Sequence, residues 1–246
     1  MNALITLTER VVRGTLRDFD LLIAVVVPVT TFVGFTFVLK HVIDTGAMTY
    51  SQYVLPAIVV QSLLFGALAT AERASRDETS GFGRRVRTLP IPPLAPLMAR
   101  MLYCLLRSTV VIVAAVAVAY PFGFRLAGGI GYSMAFVAVA LMLALALSLG
   151  ADSIGTATKM ADSSQLLIIP VLMLVMLSTG MAPAAAFPDW VQPFVRIQPV
   201  SVVTETMRGF TDGSVSGGNV TASLTWCAGL LVVFGATACR LQRKTW

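Results

Sequence analysis

Apolar residues fall into six long runs, at about 21–39, 53–71, 101–120, 132–151, 165–181 and 220–238, each almost free of charge along its length. A helix rises about 1.5 Å per residue, so each run covers most or all of a roughly 30 Å hydrocarbon core. The pattern predicts an all-α polytopic membrane protein with six transmembrane helices. The fifth run is the shortest and carries Pro170, which predicts a kink or a continuation into the following loop.

Three segments outside the runs have their own character. Over 3–17, Leu4, Ile5, Leu7, Val11, Val12 and Leu16 share one helical face and Arg10, Arg13 and Arg17 the opposite one, which predicts an N-terminal interfacial amphipathic helix within 1–18. The segment 72–100 opens on E-R-A-S-R-D-E-T-S-G-F-G-R-R-V-R and continues into Pro90, Pro92 and Pro93. It predicts a short helix over 77–87 that the prolines end. From charge alone, that helix either meets a partner or is only a solvated loop. The segment 182–219 is apolar for a loop, holding Phe187, Trp190, Phe194, Ile197 and Phe210 among Pro183, Pro188, Pro193 and Pro199. Short amphipathic helices dipping into the outer leaflet fit it, with Trp190 at headgroup depth.

Composition agrees, with 57% hydrophobic residues and only 12% charged, against roughly 25% charged in a soluble domain. The net charge of +6 would suit a nucleic-acid partner, but its distribution records topology instead. Arg10, Arg13, Arg17, Arg73, Arg76, Arg84, Arg85, Arg87, Arg100, Lys159, Arg240, Arg243 and Lys244 gather on one side of the six runs, and Lys40, Arg125, Arg196 and Arg208 on the other. Positive residues stay cytoplasmic, which puts both termini and the loops after the second and fourth runs in the cytoplasm. The first run lacks a small-residue cleavage pattern and is expected to be retained. The whole of 1–246 reads as one transmembrane domain.

Candidate chemistry is sparse. Cys104, Cys227 and Cys239 have no paired or metal-ligand spacing, so neither a disulfide nor a metal site is expected. None of Lys40, Lys159 and Lys244 follows a G-x-x-x-x-G-K-[ST] phosphate loop, so no ATP hydrolysis is expected of this chain. His41 stands without a second histidine, which disfavours a hydrolase. No ionisable residue is found at mid-run; Arg107 lies near a basic end, and Glu72, Asp152 and Asp162 fall at run termini. That disfavours an ion-coupled carrier and favours energy from a partner. Gln61, Ser62, Ser148, Gln165, Met173 and Met176 are candidates for lining a substrate route, with interhelical contacts as the alternative role.

These features together resemble the type-2 ABC exporter permeases, and within them the daunorubicin-resistance type that exports drugs and mycobacterial lipids. The resemblance rests on F-P-D-W-V-Q-P-F-V-R-I-Q-P-V-S at Phe187 to Ser201, M-R-G-F at Met207 to Phe210, R-R-V-R-T-L-P-I-P-P-L-A-P-L-M-A-R at Arg84 to Arg100, and A-D-S-I-G-T-A-T at Ala151 to Thr158. It implies a cytoplasmic coupling helix, with Glu72, Arg73, Asp77, Gly81, Arg84 and Arg85 on or beside it, seated on an ABC ATPase dimer that carries ATP and Mg; this chain itself would bind no cofactor. It implies external re-entrant helices at 182–219, to which Phe187, Pro188, Trp190, Pro193, Phe194, Pro199 and Arg208 belong; the alternative for Arg208 is an interfacial arginine paired with Glu205. It further implies a second permease chain, a paralogue slightly before a copy, in a bacterial cytoplasmic membrane, exporting a lipid or hydrophobic drug. Export of a polysaccharide, or a channel or structural subunit, stands as the alternative. Arg76, Glu78 and Thr79 depart from the pattern of the group.

Overall fold

The computed structural model describes residues 19–39, 49–88, 90–158, 163–180 and 182–245. The amphipathic helix expected over 3–17, His41 and Lys159 to Asp162 lie outside them. The helices are α1 (Asp20–Leu39), α2 (Tyr50–Thr79), α3 (Phe82–Arg87), α4 (Ala95–Ala119), α5 (Gly129–Thr158), α6 (Ser163–Met176), α7 (Gln192–Ile197), α8 (Pro199–Asp212) and α9 (Gly217–Thr245), with no strand among the described residues. Among the described residues five helices, Asp20–Val38, Tyr50–Thr79, Ala95–Phe122, Gly129–Thr158 and Gly217–Arg243, are long and apolar enough to cross a membrane.

Most of these helices run past their apolar stretches. The run at 53–71 becomes a helix that continues through Glu72, Arg73, Arg76 and Asp77 to Thr79, because backbone bonding proceeds until a residue interrupts it. Here the interruption is Gly81, at φ 72°, a left-handed conformation that glycine adopts without a Cβ penalty. The single helix expected over 77–87 is therefore two pieces, the end of α2 and the six-residue α3, and the first third of the expected 72–100 loop is helical.

The fifth apolar run also departs from expectation. Helix α6 has 14 residues, about 21 Å of rise, and ends before 181. Ser178 Oγ donates to the Val175 carbonyl at 2.8 Å and accepts from the Gly180 N–H at 3.3 Å, so its hydroxyl replaces the next helical bonds with a turn. Among the described side chains of α6 only Val171 and Val175 are buried, while Leu166, Ile169, Met173 and Met176 stay exposed.

Helix α2 is the axis of the molecule, packing on α1, α4, α5, α6 and α8. Val54, Leu55, Ile58, Val59, Val60, Leu63 and Leu64 are buried and meet Ile112, Phe136, Val139, Ala140 and Leu143 in one core. Toward the charged end the crossing with α5 tightens. A Cβ on Gly155 would land on the Ala71 carbonyl, with the carbonyl carbon 2.9 Å and the Cα 3.0 Å away. Helix α9 leans on α5 through Phe234, whose ring would lie 2.8 Å from a Cβ on Gly150. On the other faces of α1 and α9, Leu22, Ile23, Val26, Trp226, Val232 and Val233 are exposed, as expected of surfaces solvated by lipid or a second chain.

Candidate functional site

The end of α2, the left-handed Gly81 and α3 form a bent arm at the charged end of the bundle. Of the residues assigned to coupling, Arg73 and Asp77 turn inward. Arg73 Nη2 donates to Asp20 Oδ2 at 2.6 Å, and its guanidinium covers the Tyr103 ring at 4.4 Å. Asp77 Oδ2 stands 3.5 Å from Arg100 Nη1. Glu72 pairs with Arg76 one turn on. On α3, Val86 is buried and holds the arm down, while Arg85 is exposed; the backbone of Arg84 lies on the same turn. A Cβ on Gly83 would meet Glu78 Oε1 at 2.9 Å, so the corner folds tightly on itself.

The arm is tied to the bundle by a buried ion cluster. Arg100 Nε donates to Asp152 Oδ1 at 2.5 Å and Nη2 to Asp152 Oδ2 at 3.1 Å, a two-pronged pair whose side chains are 8% and 2% exposed. Arg100 thus joins the start of α4 to α5 and, through Asp77, to the end of α2. In the sequence Arg100 counts only toward the positive side and Asp152 is a run terminus. The partners are 52 residues apart, and no spacing rule links them. Asp20 is likewise brought in from the start of α1.

At the opposite end, α7 and α8 follow the 3₁₀ turn Ala184–Ala186. Two prolines of this segment begin helices instead of interrupting them. Pro193 lies in the first turn of α7 and Pro199 is the first residue of α8, positions where the missing N–H costs nothing. Trp190 is 85% exposed and Pro188, Pro193 and Phe194 are exposed with it, whereas Phe187 and Pro199 are half-buried. Helix α8 is not a surface helix. Val200, Val203, Met207 and Phe210 sit in the core, and α8 packs on α2, α5 and α9. Thr206 Oγ1 lies 2.6 Å from Ser223 Oγ, which fastens it to α9.

Arg208 is the centre of this end. Its Nε donates to the Tyr53 carbonyl at 2.9 Å, Nη1 to the Thr179 carbonyl at 3.1 Å and Nη2 to the Gly180 carbonyl at 3.3 Å, and the guanidinium lies 3.8 Å over the Tyr53 ring. It caps the turn that ends α6 and joins it to α2 and α8. The alternative pairing with Glu205 is not what holds it. Burial lowers its pKa from the ordinary arginine value, while Tyr53 and Glu205 act in the other direction, and arginine stays charged at physiological pH. Arg208→Ala strips three carbonyls of a charged donor and is expected to lower stability by about 3 kcal/mol. Arg208→Lys should recover only part, since one ammonium cannot reproduce the planar fork; thermal melts in detergent measure both.

The residues assigned to a substrate route do not gather in one place. Ser148 Oγ is buried 2.9 Å from Cys104 Sγ, and Ser62 Oγ donates to its own helix at the Ile58 carbonyl; both work as internal contacts. Gln61 is half-buried on α2, while Gln165, Met173 and Met176 lie on the exposed surface of α6. A separate apolar groove of about 530 Å³ runs between α5 and α9, bordered by Gly150, Ile154, Ala157, Val233 and Phe234.

Long apolar helices between a bent, charged corner at one end and the buried helix α8 at the other are those of a multi-pass membrane protein. The ABC-2 type transporter family model matches residues 2–210, and the chain belongs to that family. It is 30% identical over 199 residues to the doxorubicin resistance ABC transporter permease protein DrrB of Mycobacterium tuberculosis, covering 78% of this chain and 69% of that one. It is 27% identical over 230 residues to the probable doxorubicin resistance ABC transporter permease protein DrrC of the same organism, covering 92% and 83%. It is 25% identical over 224 residues to the daunorubicin resistance ABC transporter permease protein DrrB1 of Streptomyces coeruleorubidus, covering 89% and 78%. The chain is a permease subunit and not an ATPase.

Proposed function

We propose that this chain is the membrane half of an ATP-driven exporter that moves a lipid or hydrophobic drug-like molecule out of the cytoplasm or its inner leaflet. ATP and Mg sit on a separate ABC ATPase dimer. The observation that carries the reading is the bent arm, since one unbroken helix leads from the membrane core through Thr79 to the corner at Gly81 and the exposed Arg85 of α3. A push on α3 is then delivered through α2, and through the Arg100 pairs to α4 and α5, as a rigid-body displacement. On this reading α6 and its capped turn form the fifth of six crossings, α7 and α8 are the external re-entrant element, and both termini are cytoplasmic in a bacterial inner membrane. A second permease covers part of the exposed α1, α6 and α9 surfaces. That one organism holds both a DrrB and a DrrC relative supports a paralogue in that place.

Replacing both Arg84 and Arg85 with alanine is expected to cut co-purification of the ATPase severalfold while membrane insertion stays intact. Pull-down from native membranes, followed by identification of the retained proteins, measures it. Undiminished recovery of the ATPase would remove α3 from the docking surface. Drug or lipid efflux from vesicles holding the whole complex then tests cargo, and an ATPase-free preparation that conducts on its own would favour a channel.

A further inference from the structure

A second charged cluster, separate from the Arg100 pairs, lies at the root of the arm where α1, α2 and α4 meet, and among the described residues its charges do not balance. Arg73 and Arg107 both face Asp20. Arg73 Nη2 donates to Asp20 Oδ2 at 2.6 Å, the Tyr103 hydroxyl donates to the same oxygen at 3.3 Å, and Arg107 Nε stands 3.3 Å from it. Two guanidiniums thus share one carboxylate oxygen, and the adjacent acid, Glu72, is engaged by Arg76. Among the described residues the buried Arg73 Nη1 has no hydrogen-bond acceptor, and Arg107 Nε, although 3.3 Å from Asp20 Oδ2, makes no hydrogen bond to it, an arrangement that costs free energy when the group is charged. Both arginines line a cavity of about 10 Å³ with Gly66, Thr70, Tyr103 and Ser148, room for one oxygen atom of water size. Asp20 and Arg73 are 24% and 23% exposed, so the cluster reaches the surface. The surface it reaches is apolar: Phe19, Leu22 and Ile23 flank Asp20, and Leu102 and Leu106 flank Arg107, all exposed.

We infer that Arg73, Arg107 and Tyr103 form a receptor for one phosphate group carried by an anionic lipid, with a phosphate oxygen entering the cavity and the acyl chains lying on the apolar belt of α1 and α4. Net positive charge and orphaned guanidinium N–H groups select the anion. The apolar rim selects a carrier that travels within the bilayer. Gly66 makes the geometry possible, because a Cβ there would stand 2.5 Å from Arg107 Nη1 and push the guanidinium aside.

The test uses the full chain purified in mild detergent, with bound lipids counted by native mass spectrometry and melting followed against phosphatidylglycerol, phosphatidylcholine or inorganic phosphate. One phosphatidylglycerol per chain is expected to be retained with a saturable rise in Tm, and neither phosphatidylcholine nor millimolar phosphate should reproduce it. Arg107→Gln and Gly66→Ala should weaken retention by roughly tenfold or more, Gly66→Ala without loss of fold since alanine suits a helix. Asp20→Asn, which removes the competing carboxylate, should tighten it, and Arg240→Gln, an exposed arginine elsewhere, should leave it unchanged. Equal retention of phosphatidylglycerol and phosphatidylcholine, undiminished binding in Arg107→Gln and Gly66→Ala, or loss in Asp20→Asn would each overturn the assignment. A rise in Tm with inorganic phosphate alone would overturn the lipid and identify a free anion as the source.

Discussion

Asp152→Ala is expected to destabilise the chain by about 3–5 kcal/mol, the cost of leaving a buried charge without its partner. Arg100 is 8% exposed and gives two hydrogen bonds to Asp152, so its removal strands the guanidinium between α4 and α5. Asp77 at 3.5 Å is too distant and too wet to replace it, and Asp77→Asn should cost far less. The informative companion is the double replacement Arg100→Met with Asp152→Leu. A buried pair exchanged for apolar residues of similar size is often neutral or better, so the double variant should melt close to the parent. Under the coupling reading it should nevertheless transport poorly, since it no longer links α2, α4 and α5 by charge. Melting in detergent and vesicle efflux separate the two effects. A double variant that transports normally would reduce the cluster to a stability element.

Gly155→Ala is expected to have a comparable effect by a different route. A methyl group there collides with the backbone of Ala71, and neither partner is a flexible side-chain end that can swing away. The helices must separate, at about 1–3 kcal/mol for overpacking and more with Gly155→Val. Gly229→Ala is the control. No atom lies within 4 Å of a Cβ built there, and its helix should be unchanged or stabilised by up to about 1 kcal/mol. Size-exclusion recovery and melting of the two variants side by side read the difference, and equal behaviour would mean that α2 and α5 are free to slide apart.

These two sites mark the limit of what a linear reading could find. Long apolar runs announce membrane helices because hydrocarbon demands about 20 residues without charge and with every backbone group paired inside the segment. Five such runs became helices close to their expected centres. Their ends were less legible. A helix stops at a local event, and the decisive ones were the φ of Gly81 and the hydroxyl of Ser178, neither of which hydropathy registers. Of the prolines that break the outer segment in the sequence, Pro193 and Pro199 stand at helix starts, since a proline's effect depends on which turn it occupies.

Candidate side chains fared according to the range of the interaction that positions them. Arg84 and Arg85 lie on a short helix set by local sequence, and Trp190 is exposed on the turn that precedes α7. Arg73, Asp77 and Arg208 were singled out by position, yet their partners, Asp20, Arg100 and the carbonyls of Tyr53, Thr179 and Gly180, come from other helices. The sequence by itself determined the class of protein, the apolar helices and the uneven distribution of positive charge, because each depends on composition within one segment. Only the tertiary structure decided which charges are buried, which pair and which remain unbalanced, because a charge is stabilised by whatever group lies within a few ångströms, and distance along the chain does not enter that energy.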